Sequence, residues 1–234
     1  MPLHPKFSGM IHPDDARLNP VLDPAHVIAP ANVPIVDKST GKTYYIQKYG
    51  PTVGNYGPTI YAPPTDCSGA FMSCQFQPNN NCYNYGCDIA SNSFAQPGRQ
   101  HGIFLSFPPT GPAVVAGAQA DGLQWIGTDY PTGYLNSPDG HPVALVISAG
   151  DESLGWPGDY HWVRYDQETG AWSQKDGGDQ VTNFDFAGNP ITDPATANWT
   201  VNQGPTDQSG TDDVIASYEF FGYLFVPTSG VEII

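Results

Sequence analysis

Cys82 is the residue of this sequence that is best placed to act as a nucleophile. It follows Asn79, Asn80 and Asn81, a residue type favoured at helix N-caps, and it begins a segment that we predict to be helical until Pro97 stops it. Free N–H groups and the helix dipole stabilise a thiolate at such a position, so we expect a lowered pKa for Cys82. The alternative is a small buried side chain, which is the commoner fate of a cysteine.

A nucleophilic thiol needs a base, and His161 is the best-placed histidine. It lies near the start of an alternating segment, residues 160–166, which we predict to be a strand that follows an apolar strand at residues 142–148. A Cys beside a His, with a third polar group that orients the imidazole, forms the site of thiol hydrolases. The alternative is a core histidine. His141 and His101 are weaker rivals because each lies in a glycine-flanked turn.

The elements around these residues indicate an α+β fold. A second helix is predicted near residues 112–123, where Pro112 suits a first helical turn, although Gly117 and Gly122 oppose it. Further strands are predicted at residues 171–175, 181–186 and 214–226. Helices thus come first and a mostly antiparallel run of strands follows.

The first 66 residues differ from the rest. Proline recurs through residues 1–66, and each proline removes a backbone donor and disfavours helix before it. Only residues 42–49 have the composition of a strand. We therefore divide the chain into an extended proline-rich arm, residues 1–66, and a folded domain, residues 67–234. Such an arm has little core of its own, so we expect it to mediate self-association or to bind an assembly partner.

The charge of the chain excludes two classes of partner. It carries 23 acidic residues against 8 lysines and arginines, a formal charge of −15. So few cations cannot form the basic surface that nucleic acids or anionic membranes require. No apolar run reaches the length of a membrane span, and none at the N-terminus has the pattern of a secretory signal. A cytoplasmic or virion protein fits these features.

The four cysteines lie close together in sequence, at Cys67, Cys74, Cys82 and Cys87. If Cys82 is kept free for chemistry, the pair Cys67–Cys74 is the best candidate for a disulfide, whereas the missing signal favours free thiols. The spacing lacks a Cys-x-x-Cys motif, which argues against zinc. We therefore expect no metal and no other cofactor.

Taken together, several of these segments resemble papain-like proteins with the layout of the NlpC/P60 and CHAP amidase/peptidase families. The resemblance covers roughly residues 79–226. It implies a papain-like fold in which N-terminal helices pack on a mostly antiparallel sheet. The segments that carry it are residues 81–85, 94–99, 159–166, 172–175 and 181–191.

The resemblance also implies a role for individual residues. Cys82 becomes the nucleophile, His161 the base, and Gln174, one hairpin later, the residue that orients the imidazole. Gln174 departs from the His, Asn or Asp usual in that family, and a neutral amide orients imidazole without stabilising imidazolium. Asp166 or Asp185 could take its place if the strands are offset.

An oxyanion donor and a substrate class follow from the same resemblance. Gln77, or else Gln75, occupies the region before the nucleophile from which papain relatives donate to the oxyanion. The implied activity is hydrolysis of an amide bond in a peptide, an isopeptide or a peptidoglycan stem, with a peptide-like substrate. Because folds are reused without catalysis, the alternative is a catalytically silent structural protein of a virion or other surface assembly.

Overall fold

The computed structural model describes residues 31–49, 52–54, 71, 77–167, 169–205 and 213–234. The helices in these ranges are α1 (Cys82–Gly86) and α2 (Gly111–Ala120), with 3-10 turns at Gln77–Asn79, Arg99–His101 and Glu152–Leu154. The strands are β1 (Ala31–Val36), β2 (Thr43–Lys48), β3 (Val53–Gly54), β4 (Ile89–Ala90), β5 (Gln124–Gly127), β6 (Gly140–Ser148), β7 (Asp159–Asp166), β8 (Ala171–Lys175), β9 (Val181–Thr182), β10 (Thr200–Pro205) and β11 (Asp213–Pro227).

A seven-stranded antiparallel sheet forms the centre of the fold. Its strands lie in the order β10-β11-β6-β7-β8-β9, and β5 pairs with the second half of β11. The continuous apolar run of β6 is buried along nearly its whole length because it lies between β11 and β7. The predicted α+β class is therefore confirmed.

Apolar side chains cover both faces of this sheet. On β7, Tyr160 and Trp162 belong to a core that includes residues of α1 and α2, and Val163 and Tyr165 belong to a second core. This division follows from the two-residue period of a strand. The second core is closed by residues after β9, among them Phe186 and Trp199.

Helix α1 is much shorter than the sequence predicts. The helix ends at Gly86, and the chain then adopts positive φ values at Asp88 (57°), Asn92 (57°) and Phe94 (55°). A helix cannot continue through such residues. The predicted helix before Pro97 is therefore wrong beyond its first five residues. The second predicted helix is confirmed as α2.

The predicted strand at residues 42–49 is confirmed as β2, which forms a two-stranded hairpin with β1. Strand β1 was not predicted, because Pro34 argues against a strand in its middle; it tolerates the proline as one of two strands in a separate sheet. The boundary proposed at residue 66 and the pair Cys67–Cys74 lie outside the described residues.

Candidate functional site

The start of α1 positions Cys82 as its first residue. Asn81 caps the helix: its side-chain oxygen accepts from the N–H groups of Tyr83 and Asn84, both at 3.1 Å. Asn84 reciprocates, accepting at 3.2 Å from the Asn81 N–H, and Asn81 Nδ2 donates at 2.7 Å to the Ala95 carbonyl. These contacts satisfy three backbone N–H donors and fix the helix start, as the sequence predicts for an asparagine cap.

The surroundings of Cys82 do not favour a thiolate. Burial raises the pKa of the Cys82 thiol, and the negative charge of Asp159 raises it further; a hydrogen bond with the Trp162 backbone acts in the opposite direction. The side chain is only 6% exposed. The expected lowering of the pKa is therefore wrong, because desolvation of the thiolate outweighs the dipole of a five-residue helix.

His161 lies on β7 next to Trp162, whose backbone is hydrogen-bonded to the Cys82 thiol, so β7 passes beside Cys82. The imidazole is 2% exposed and packs against aromatic rings of the second core, with centroid distances of 5.5 Å to Phe186 and 5.9 Å to Trp199. His161 Nδ1 lies 3.9 Å from Oδ1 of Asp176, the residue that follows β8. The local sequence does not predict this contact, because the position of Asp176 beside His161 depends on the β7–β8 register.

Gln174 has a different partner. In the β7–β8 pairing it lies opposite Val163, and its Nε2 donates to the Phe184 carbonyl at 2.9 Å. The side chain is fully buried. Its amide nitrogen therefore ties β8 to the segment after β9, and the carboxylate beside His161 is that of Asp176.

The two alternative orienting residues lie elsewhere. Asp166 is the last residue of β7, five residues from His161, which corresponds to about 16 Å along a strand. Asp185 Oδ1 accepts from the N–H groups of Ala187 and Asn189, and its Oδ2 accepts from that of Asn198. Asp166 is thus too distant to orient His161, and Asp185 stabilises its own turn.

Gln77, the predicted oxyanion donor, lies in the 3-10 turn that precedes α1. Its Nε2 donates to the Gly178 carbonyl at 3.3 Å, and its own carbonyl accepts from Lys175 Nζ at 2.7 Å. Gln75 lies outside the described residues. The Gln77 amide therefore links the turn to the loop after β8.

Lys175 is a structural residue of this region that belongs to none of the motifs predicted from the sequence. Its side chain is fully buried, and Nζ donates to the carbonyls of Gln77, Asn80 and Gly177. Burial lowers its pKa to about 7. The ammonium thereby holds the segment that leads into Cys82 against the end of β8. A lysine at a buried position of an alternating strand was the available signal.

The rival histidines serve other parts of the fold. His141 Nε2 lies 2.7 Å from the Gly86 carbonyl at the far end of α1, and burial lowers its pKa to about 3. His101 Nε2 lies 3.5 Å from Oδ1 of Asp121, at the end of α2. Each of these two histidines therefore contacts the C-terminal end of a helix and has a structural role.

The part of the chain that the structure describes contains neither a membrane-spanning helix nor a cluster of metal ligands. None of its helices is long and apolar enough to cross a membrane. Within the same part of the chain, no group of three or more His, Cys, Asp or Glu side chains is arranged to hold a metal ion.

Comparison with known proteins finds one informative relative. No family model and no solved structure matches the chain. Over 125 residues the chain is 41% identical to insoluble matrix shell protein 1 of Ruditapes philippinarum, a match that covers 52% of this chain and 72% of the relative. The papain-like resemblance gains nothing from these comparisons and stays a prediction. With this identity and coverage, the chain belongs to the same family as insoluble matrix shell protein 1.

Proposed function

We propose that this chain is a structural protein that associates with copies of itself in an insoluble matrix. The observation that carries the proposal is the 41% identity to a relative named as an insoluble matrix shell protein. The alternative predicted from the sequence, a catalytically silent structural protein of an assembly, agrees with this proposal.

The state of the described cysteines supports a structural role. Cys82 and Cys87 are both buried free thiols, at 6% and 3% exposure. Burial raises the pKa of each thiol above its usual range. A protonated thiol without solvent access reacts slowly with oxidants and electrophiles, which suits a small core residue.

The proposal is tested with the purified full-length chain and a Cys82→Ser variant. We expect both proteins to form sedimentable, detergent-resistant material to the same extent as their concentration rises. A wild-type chain that stays monomeric at every concentration would contradict a structural role. Cys82-dependent cleavage of an amide substrate by that soluble chain would replace it with an enzyme.

A second candidate function is the thiol hydrolase predicted from the sequence, which the backbone contact of β7 with the Cys82 thiol favours. The side chains oppose it: Cys82 lies in the core that contains Tyr160 and Trp162, whereas the His161 ring packs in the second core, on the other face of β7. We propose that such an enzyme would have to turn the His161 ring towards Cys82 so that it accepts the thiol proton. The thiolate would then attack the amide carbonyl carbon, the imidazolium would protonate the leaving amine, and water would hydrolyse the resulting thioester. The raised pKa of Cys82 opposes this reaction in the absence of substrate.

Alkylation by iodoacetamide at neutral pH tests the second candidate. A hydrolase requires Cys82 to react faster than Cys87, and it requires a His161→Ala variant to slow that reaction. Labelling that is equally slow at both cysteines would exclude an activated thiol. Peptide mass mapping distinguishes the two positions.

A further inference from the structure

The lysines and arginines of the described chain are distributed unevenly. Two of them are buried: Arg164 NH1 forms an ion pair with Asp88 at 3.0 Å, and Lys175 is bound by main-chain carbonyls. The other cations in the described ranges belong to the β1–β2 hairpin or to the neighbouring 3-10 turn. Lys38, Lys42 and Lys48 belong to the hairpin, and we call them the hairpin surface; the guanidinium of Arg99 is bound by main-chain carbonyls.

The hairpin surface is attached to the rest of the fold, and two of its lysines are accessible to solvent. The Lys38 N–H donates at 2.9 Å to the Gly102 carbonyl, which ties the hairpin to the turn that contains Arg99. Lys38 and Lys42 are exposed. The carboxylate of Asp37, an acid within the hairpin, accepts from the Ser39 N–H and hydroxyl in its own turn.

Exposed apolar side chains lie among these cations. Tyr45 is 68% exposed, Val36 54% and Tyr49 42%. Exposed tyrosines and apolar side chains of this kind are enriched in protein-binding surfaces.

Four exposed acidic side chains lie together at one end of the seven-stranded sheet. Asp151 and Glu152 follow β6, and Asp213 and Glu219 lie on the first half of β11; all four are exposed. Because Tyr218 pairs with Ser148, the first half of β11 lies beside the end of β6 that leads to Asp151. We call these four residues the acidic end.

Strand β11 starts at Asp213 of the acidic end. At its far end the chain continues into residues 228–234, which line a cavity of about 650 Å³ together with Val33 and Lys48 of the hairpin. The hairpin surface therefore lies against the chain that follows β11, and it shares no residue with the acidic end.

We propose that the hairpin surface of one copy binds the acidic end of a second copy. The inference rests on the proposed self-association and names the two surfaces that would carry it. Opposite charges attract across such an interface, and the exposed aromatic rings of the hairpin add apolar area. A contact between two different surfaces does not close on itself, so each copy leaves one surface of each kind free for the next copy. The expected product is a chain of molecules.

Sedimentation velocity of the full-length chain tests the interface. We expect association in about 0.05 M salt and its loss in about 0.5 M salt, where surface charges are screened. A Lys38→Gln/Lys42→Gln variant should associate about tenfold more weakly. The matched control is Gln124→Glu/Asn136→Asp, which changes the net charge by the same amount at exposed positions outside both surfaces and should associate as the wild type does.

A mixing experiment tests the pairing of the two surfaces. A Glu152→Gln/Glu219→Gln variant removes charge from the acidic end and should also associate weakly when alone. Mixed with Lys38→Gln/Lys42→Gln, it should form dimers but no longer chains, because each variant keeps one intact surface. Circular dichroism of each variant checks that the fold is retained.

Several results would overturn the interface. One is association by Lys38→Gln/Lys42→Gln equal to that of the control, which would leave the proposed self-association intact and place it elsewhere. Another is the absence of dimers in the mixture of folded variants. A wild-type chain that stays monomeric in low salt while its hairpin binds polyaspartate would assign the surface to a foreign polyanion.

Discussion

The Tyr218 hydroxyl donates a hydrogen bond of 2.9 Å to Oδ2 of Asp159 and so links β11 to β7 across β6. Register explains the contact, since Tyr218 pairs with Ser148 and Ser148 pairs with Asp159. Burial nevertheless raises the pKa of Asp159 to about 6. Above that pH the site holds a negative charge that raises the pKa of Cys82.

Asp159→Asn should make Cys82 more reactive. Removal of the carboxylate removes the largest charge effect on the thiol and lowers the pKa of Cys82, and each unit of lowering gives about tenfold more thiolate. We expect alkylation of Cys82 by iodoacetamide at pH 8 to accelerate severalfold. Asp139→Asn, at an exposed position, is the control and should leave the rate unchanged. An unchanged rate in Asp159→Asn would show that desolvation alone suppresses the thiolate.

The central strands of the sheet were predictable from their composition, whereas β5 and β10 were not predicted and the strand predicted at residues 181–186 ends at Thr182. The apolar run of β6 and the alternation along β7 identify both segments as strands from their residues alone. Helix α1 was predicted too long because nothing in the local pattern reveals positive φ values at Asp88 or Asn92. The partner of His161 was missed because Asp176 reaches it only through the β7–β8 pairing, which depends on long-range packing.

Lys175→Met should weaken the fold around Cys82. The substitution keeps most of the apolar stem but leaves the carbonyls of Gln77, Asn80 and Gly177 without their donor. Unsatisfied buried acceptors of this kind cost about 1–3 kcal/mol each, so we expect the free energy of unfolding to fall by about 3 kcal/mol.

Urea unfolding measures the loss in Lys175→Met, with Lys42→Met as the control at an exposed lysine. The control should stay within about 0.5 kcal/mol of the wild type. Cys82 should also be alkylated faster in Lys175→Met, because the segment before α1 loses its anchor. Equal stability of the two variants would mean that these three hydrogen bonds contribute nothing net.

Asp121 should make stability depend on pH. Its carboxylate is 1% exposed and accepts hydrogen bonds from the Tyr83 hydroxyl at 2.8 Å and the Gly98 N–H at 2.7 Å, with His101 and Arg99 nearby. Burial raises its pKa from 3.8 to about 7. Between about pH 4 and pH 7 the unfolded chain loses this proton and the folded chain keeps it, so the Asp121 contribution to stability falls as pH rises.

Asp121→Asn removes that titration while it keeps an acceptor oxygen. Its unfolding free energy should fall less between pH 4.5 and pH 6.5 than that of the wild type, by at most about 1.4 kcal/mol per pH unit. Urea unfolding across this range measures the difference, and Asp139→Asn should retain the wild-type slope. A parallel pH dependence in Asp121→Asn and wild type would place the pKa of Asp121 near its ordinary value.

Gly117→Ala should destabilise the protein even though alanine favours helix. Gly117 lies within α2, where its Cα closely approaches Gly98, and a Cβ at position 117 would lie 2.7 Å from the Pro97 carbonyl oxygen. That neighbour is main chain and cannot rotate away, so we expect a loss of about 1–3 kcal/mol, the range measured for overpacking. Ala116→Gly, at an exposed position of α2, should cost about 1 kcal/mol through helix propensity alone. If Gly117→Ala proved more stable than the wild type in urea, α2 could not lie against Pro97 as closely as these distances require.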